Sequence, residues 1–527
     1  MEIRNSGSDE KRARKLGATI PLFSLRTARN WGIGEIPDLV GCARWLKTGG
    51  FGVLQILPPH ELAKGETSPY GARTAFGIDP IFLALEDVPE LAGEELEVAL
   101  GEDGKRELTR VRALPAVDYQ AVRALKTKVL AEAFARFEKA ELAKGTARAE
   151  RYRSFVKKVA SWEDDLALYV ALRHQNDSKS WRDWPESERH RDPATLSAQR
   201  EMHGNAIEKH RYGQWLASEQ WSKARAAVRA LGLELMGDLP FVVGTESADV
   251  WAHPNEFDWK ASLGAPPDAF SPDGQDWGLP PYRWSEMEKD DFAWLRARVR
   301  RAAELYDRFR LDHLIGLFRM YVVVGGDPKK GHFEPENEAA QTERGARMLG
   351  VMVDEARSAG TELIAEDLGV VPDWVRAVMR EKGVPGYRVI PWERDFERNY
   401  YRRPQDFPPL SVAAWSTHDT APINQMWNEL QQWERDGLAD LIGVPHDANA
   451  HDLWRAQMRT LMNAGSSLAL VLGQEILGDD RRINTPGTVG PQNWTYRFPQ
   501  TFDEMGGDPR ICDRMTILRD FAAEGGR

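Results

Sequence analysis

The sequence predicts an α/β fold, a closed (β/α)8 barrel with long βα loops. Eight short apolar or β-branched runs recur, at 18–22, 51–57, 234–239, 309–312, 362–366, 387–390, 411–416 and 468–472, several ending in polar residues. Helix-prone stretches rich in Ala, Arg, Glu and Leu separate most of them, as at 292–306 and 344–359. Strand alternating with helix implies a parallel sheet, and eight such strands imply closure. A hydrophobic content of 42% and a mean hydropathy of −0.52 fit a soluble globular chain of 527 residues, long enough for a sizeable core.

Taken in order, residues 1–16 read as a charged, flexible tail, and 17–527 as the barrel. Met1 to Lys15 carries no apolar signal-peptide core, so a cytoplasmic protein is expected. About 177 residues separate the second run from the third, and much of that gap is charged and helix-prone. Residues 86–205 of it are expected to form a mostly helical insertion between strands 2 and 3. Residues 240–290 are rich in Pro, Gly, Asp and Trp and read as a long ordered loop at the C-terminal end of strand 3, where barrel enzymes build their sites. The two cysteines, Cys42 and Cys512, are far apart and read as reduced, unpaired thiols.

A net charge of −11 argues against nucleic acid and against an anionic membrane surface as partners, since both favour a basic protein. Nineteen Trp residues fit a neutral, polar ligand better. No phosphate-binding GxxxxGK[ST], no HExxH and no Cys cluster occurs, so neither a metal nor another cofactor is expected.

Three acidic sites stand at strand ends. In Arg310-Leu311-Asp312-His313, the side chains of Arg310 and Asp312 point the same way, two residues apart on a strand. The guanidinium favours an ionised carboxylate, as a nucleophile requires, although alone the pair reads first as a strand-end salt bridge. In Ile364-Ala365-Glu366-Asp367, an apolar run ends in two acids. A partly buried one titrates high and can serve as a general acid, or the pair can cap the next helix. In Ser416-Thr417-His418-Asp419, His418 and Asp419 could grip hydroxyls of a polar substrate, or Asp419 could be an N-cap. Together the three gain force, because Asp312, Glu366 and Asp419 fall at the same end of the barrel. Two carboxyls flanking a scissile bond are the machinery of glycoside chemistry.

These blocks, with others in fixed order, resemble the 4-α-glucanotransferases (amylomaltase or disproportionating enzyme, glycoside hydrolase family 77). The others are Asn30-Trp31-Gly32-Ile33-Gly34, Ser68-Pro69-Tyr70, Gly237-Asp238-Leu239-Pro240, Pro266-Pro267-Asp268-Ala269-Phe270-Ser271, Gly274-Gln275-Asp276-Trp277-Gly278 and Asn484-Thr485-Pro486-Gly487 before Asn493-Trp494. The resemblance implies a barrel with inserted subdomains and no C-terminal β-sandwich. It implies transfer of α-1,4-glucan segments between maltooligosaccharides or starch-type glucans, by a retaining double displacement that releases glucose and needs no cofactor. By motif match, Asp312 is the nucleophile, Glu366 the acid/base and Asp419 the third carboxylate. Arg310 and His418 are their partners, Tyr70 stacks on the sugar, and Ser68, Asp268, Gln275, Trp277 and Asn493 are further substrate contacts. Leu279 and Asp79 depart from the common family pattern and bear on subsite detail. A monomer or homodimer is expected. A hydrolase on the same barrel, or a glucan-binding protein without turnover, are the competing readings.

Overall fold

The computed structural model describes residues 13–267, 272–395 and 400–527. All eight apolar runs become strands of one closed parallel barrel: β1 (Lys15–Thr19), β2 (Val53–Gln55), β3 (Glu234–Leu239), β4 (Arg308–Leu311), β5 (Glu362–Ala365), β6 (Gly386–Val389), β7 (Ser411–Ala414) and β8 (Leu468–Leu472). They follow one another around the barrel in sequence order, and β1 pairs with both β2 and β8 to close it.

The period-2 alternation of the strands sets what fills the barrel. Val53, Met236, Ile364, Tyr387, Val412, Ala414, Leu468 and Leu470 form an apolar cluster of their own, separate from the larger core between strands and helices. Two residues further along several of these strands, the same face turns polar, at Gln55, Asp238, Glu366 and Ser416. The interior therefore has an apolar floor and a polar ceiling at the strands' C-terminal ends. Between them, Thr19 Oγ1 donates to Gln55 Oε1 at 2.7 Å, and Gln55 Nε2 donates to the Tyr387 hydroxyl at 3.4 Å. Gly237, beside Asp238, must lack a side chain, because a Cβ there would stand 2.2 Å from the Tyr306 ring.

Helices Glu95–Ala113, Tyr119–Phe137, Ala147–Gln175, Pro193–Met202 and Gly204–Ala230 lie between β2 and β3. Buried charge fastens them to the barrel. Arg123 makes two bonds to Asp79, at 2.9 and 2.8 Å. Lys126 meets Glu35 at 2.7 Å and the carbonyls of Ile81 and Leu83. His210 joins Glu61 at 3.0 Å and Glu163 at 2.9 Å. Asp79, a departure from the family pattern, is thus wholly buried and caps the turn 80–82.

Two expectations need correction. The segment 1–16 is not all tail: Lys15 and Leu16 open β1, where the Lys15 ammonium reaches Glu234 at the barrel's lower rim, 2.5 Å away. Residues 1–12 of that segment lie outside the described residues. The 240–290 stretch is not only loop. Ser262–Ala265 and Gln275–Asp276 join Met320–Val323 and His332–Glu334 in a four-stranded antiparallel sheet. These strands are two to four residues long, and the pairing that joins the two local hairpins, Ser262–Ala265 with Met320–Val323, spans about sixty residues, so no local pattern announces the sheet. The described chain closes on helices Phe502–Gly507 and Pro509–Glu524. Among the described residues no helix is long and apolar enough to cross a membrane.

Candidate active site

Strand register assembles the site. Asp238 on β3 and Arg310 on β4 are paired residues, and so are Leu311 on β4 and Ala365 on β5. Asp312 and Glu366, each one residue further, therefore stand side by side on adjacent strand ends. The ladder continues through them: Asp312 N–H donates to Leu239 O at 3.0 Å and Glu366 N–H to Leu311 O at 2.9 Å. Neighbouring strands are about 4.8 Å apart, which sets the scale of the carboxylate separation.

One guanidinium serves two acids. Arg310 Nη1 donates to both oxygens of Asp238, at 2.9 and 2.7 Å, and Nη2 lies 2.7 Å from Asp312 Oδ1. Asp238 is wholly buried, whereas the Asp312 side chain is 27% exposed and faces the cleft. Burial opposes the charge on Arg310, but Asp238 and Asp312 hold it well above its ordinary value. Asp238 itself is pushed up by burial and by Asp312, against the pull of Arg310.

From Asp238 a hydrogen-bonded chain crosses the barrel mouth. The Tyr70 hydroxyl donates to Asp238 Oδ2 at 2.9 Å and lies 2.8 Å from His418 Nε2. His418 Nε2 also meets Asp419 Oδ2 at 3.1 Å, and Asn484 Nδ2 donates to Asp419 Oδ1 at 2.7 Å. The Tyr70 and His418 rings stack at 5.8 Å, and Trp494 covers both from 5.7 and 6.2 Å. Burial would raise the Asp419 carboxyl, but His418 and Asn484 hold it well below the usual range. His418 is raised in turn by Asp419, against the penalty of burial.

Glu366 is built differently. It accepts the His313 N–H at 2.9 Å and the Leu368 N–H at 2.7 Å. Burial and the Asp312 charge push its carboxyl to about 7, and Arg310 and the two N–H groups only partly offset them. Its neighbour Asp367 turns the other way, into bonds with Arg376, Arg388 and the Tyr387 N–H. The two adjacent acids thus separate into a cleft group and a structural one.

His313 pays for its position with a left-handed backbone at φ 47°, a strain on the order of 1–3 kcal/mol for a residue with a Cβ. That turn aims its N–H at Glu366 and sets its ring edge-on to Trp277, 4.8 Å away. Trp277 is fixed by its indole N–H, which donates to Gln275 Oε1 at 2.9 Å. Trp277, with Gln275 bonded to it, therefore packs against the residue that follows Asp312.

Two expected contacts have other partners. Asn493 is buried, and its amide accepts from Thr485 N and donates to Thr488, so it shapes the loop that carries Asn484 rather than facing the cleft. Ser68 organises the turn before Tyr70, whose N–H it accepts at 3.4 Å. Asp268 lies outside the described residues. Sequence reasoning assigned no role to Asp238, Asn484, His313 or Trp494. Asp238 had a signal, an acid two residues after Met236 on an inward face, but only register reveals its bond to Arg310.

A family model described as 4-alpha-glucanotransferase (glycoside hydrolase family 77) matches residues 20–501. The 4-alpha-glucanotransferase of Chlamydia pneumoniae is 29% identical over 503 residues, covering 93% of this chain and 92% of its own. The chloroplastic/amyloplastic 4-alpha-glucanotransferase of Solanum tuberosum is 28% identical over 521 residues, with 94% and 84% covered. The fold matches an amylomaltase from Streptococcus agalactiae solved with acarbose, at a TM-score of 0.83 and 22% identity, over 98% of this chain and 99% of that one. The chain belongs to the 4-alpha-glucanotransferase family, glycoside hydrolase family 77.

Proposed function

We propose that the protein moves α-1,4-glucan segments between maltooligosaccharides by a retaining double displacement. Asp312 attacks the anomeric carbon and forms a β-glycosyl ester while Glu366 protonates the departing 4-oxygen. The shortened glucan leaves, and from a short donor it is glucose. The 4-hydroxyl of an incoming glucan then gives its proton to Glu366, attacks the anomeric carbon and frees Asp312. Each carboxyl returns to its first state.

The observation that carries this reading is the position of Asp312 and Glu366, each one residue beyond the paired Leu311 and Ala365 on adjacent strands. Two carboxyls on adjacent strand ends fit the roughly 5–5.5 Å spacing of retaining enzymes, not the wider gap that admits a water between sugar and base. Their environments separate the roles. Asp312 is paired with Arg310, and Glu366 is pushed to about 7, so it can hold a proton near neutral pH and lose it in the next step. Asp419, anchored by His418 and Asn484, presents an anion to the hydroxyls of the sugar that is attacked. Tyr70, Gln275 and Trp277 line the same mouth as substrate contacts.

Incubation with maltotriose tests the reading. Glucose plus a ladder of longer maltooligosaccharides is the expected pattern. Glucose and maltose alone would make the protein a hydrolase.

A further inference from the structure

Among the described residues the exposed aromatic side chains are Trp392, Tyr400 and Trp433, at 48%, 46% and 50%, and all lie between β6 and β8. The other seventeen Trp are buried or half-buried, and Trp251, for example, packs on Trp184 with its N–H bonded to Glu188 O. The outward-facing pair Tyr400 and Trp433 therefore calls for a separate reason.

Two elements present the pair. The ribbon of Arg394–Asp395 and Tyr400–Tyr401 follows β6, and helix Gln432–Ile442 stands in the connection from β7 to β8. On that helix Trp433, Asp436, Gly437, Asp440 and Leu441 recur at helical spacing and share one face. Tyr401 lies flat against this face at Gly437, where a Cβ would come within 3.0 Å of its ring. The Arg394 guanidinium sits 4.1 Å from the Trp433 ring centroid and 5.8 Å from that of Tyr401, which braces the indole from one side. His446 holds Asp436 at 3.3 Å and Asp440 at 2.9 Å. Arg394, Tyr400, Tyr401 and that helix face line an open depression of about 560 Å³, within the range of small-ligand sites.

We propose that this depression is an accessory docking site for an α-1,4-glucan chain, outside the catalytic cleft. A pyranose ring has a flat C–H face that packs on an aromatic plane and a rim of hydroxyls that needs acceptors and donors. Tyr400 and Trp433 supply planes, each with a polar edge of its own. Asp436 and Asp440 supply acceptors, and Arg394 supplies donors. The ligand is neutral, which suits an acidic chain of net charge −11. Both elements leave the barrel after β6 and β7, from the strand ends that carry the catalytic mouth. A long glucan held here raises the local concentration of its own ends at that mouth, whereas a trisaccharide gains nothing. The proposal rests on the glucan chemistry inferred above but concerns binding, not turnover.

The test is the double variant Trp433→Ala/Tyr400→Ala, with Trp433→Tyr as the conservative control. Both side chains are exposed, so the melting temperature should stay within a degree or two of wild type. In native gels containing glycogen, wild type and Asp312→Asn should both be retarded, and the double variant should run about as it does without glycogen. The KM for glycogen as donor should rise about fivefold or more, with kcat/KM for maltotriose unchanged. Trp433→Tyr should keep most of the retardation. Equal retardation of wild type and double variant would overturn the proposal. So would a matching loss on maltotriose, which would place these rings in the catalytic cleft. Self-association of wild type that the variant abolishes, without glycogen retardation, would assign the surface to a second copy of the chain. Failure of wild type to disproportionate maltotriose would reject the transferase reading and leave the gel result to decide this one.

Discussion

At the junction with the helices between β2 and β3, His210 lies between Glu61 and Glu163, and Arg73 and Arg211 take further oxygens of the same two carboxylates. At the barrel mouth, Arg310 is likewise shared between Asp238 and Asp312. The junction is closed: Glu61 and Glu163 are 3% and 0% exposed. The mouth is open: Asp312 and Asp419 keep 27% and 36% of their side-chain surface. Charges that satisfy one another hold segments together, and charges left facing a cleft are available to a substrate. Buried ion pairs alone do not mark an active site; the exposed remainder does.

The comparison breaks most visibly on the nucleophile. Asp312→Asn should lower kcat on maltotriose on the order of 10⁴-fold or more while the protein melts near the wild-type temperature. Asp238→Asn removes half the charge around Arg310 and should lower kcat on the order of 10²-fold, with a smaller effect on KM, because Arg310 is then free to swing. Glu163→Gln strikes the closed cluster. It should cost about 3–5 kcal/mol of stability, measured by denaturant unfolding, yet leave kcat per folded molecule close to wild type.

The resemblance between Asp312, Glu366 and Asp419 as strand-end acids was legible because apolar runs stop where a polar ceiling begins. The eight strands were legible for the same reason: LALVL at 468–472 or ELIA at 362–365 can be buried on both faces only in a parallel sheet. What the residues alone did not tell was pairing across distance. The Arg310–Asp238 bond joins two strands seventy-two residues apart, and the antiparallel sheet depends on the distant pairing of Ser262–Ala265 with Met320–Val323. The bonds of Asn493 to Thr485 and Thr488 were hidden likewise, because an amide beside Trp494 reads from sequence equally as a sugar ligand or a loop clasp. The anchoring of Asp79 was no more legible, since its partner Arg123 stands 44 residues along the chain in a helix.

Titration sharpens the comparison further. Glu366 must carry a proton to protonate the leaving oxygen, so kcat/KM should fall about tenfold per pH unit above about 7, and Glu366→Gln should lose that limb along with most activity. The junction responds in stability instead. Burial disfavours the His210 charge, but Glu61 and Glu163 lift its pKa to about 9 from an ordinary 6.5. Its contribution is complete below about 6.5 and is lost as pH rises through about 9. Glu61 is held below its ordinary value, against burial, by Arg73 and His210, so its share is present above about 4.5 and lost on acidification. Thermal midpoints should therefore form a plateau between these limits, and His210→Gln should flatten the alkaline shoulder. The smallest effect is the most diagnostic: Glu366→Gln should raise the melting temperature at pH 8 by a few degrees, because a raised carboxyl pKa means that ionisation costs stability there.

The account stands on Asp312 as the group that carries the sugar. Glu366→Gln treated with α-maltosyl fluoride, whose fluoride leaves without an acid, should accumulate a covalent adduct one maltosyl group heavier by intact mass, and peptide mapping should place it on Asp312. Asp312→Asn should form none. An adduct on Asp419, or turnover of the fluoride by Asp312→Asn at the wild-type rate, would contradict it.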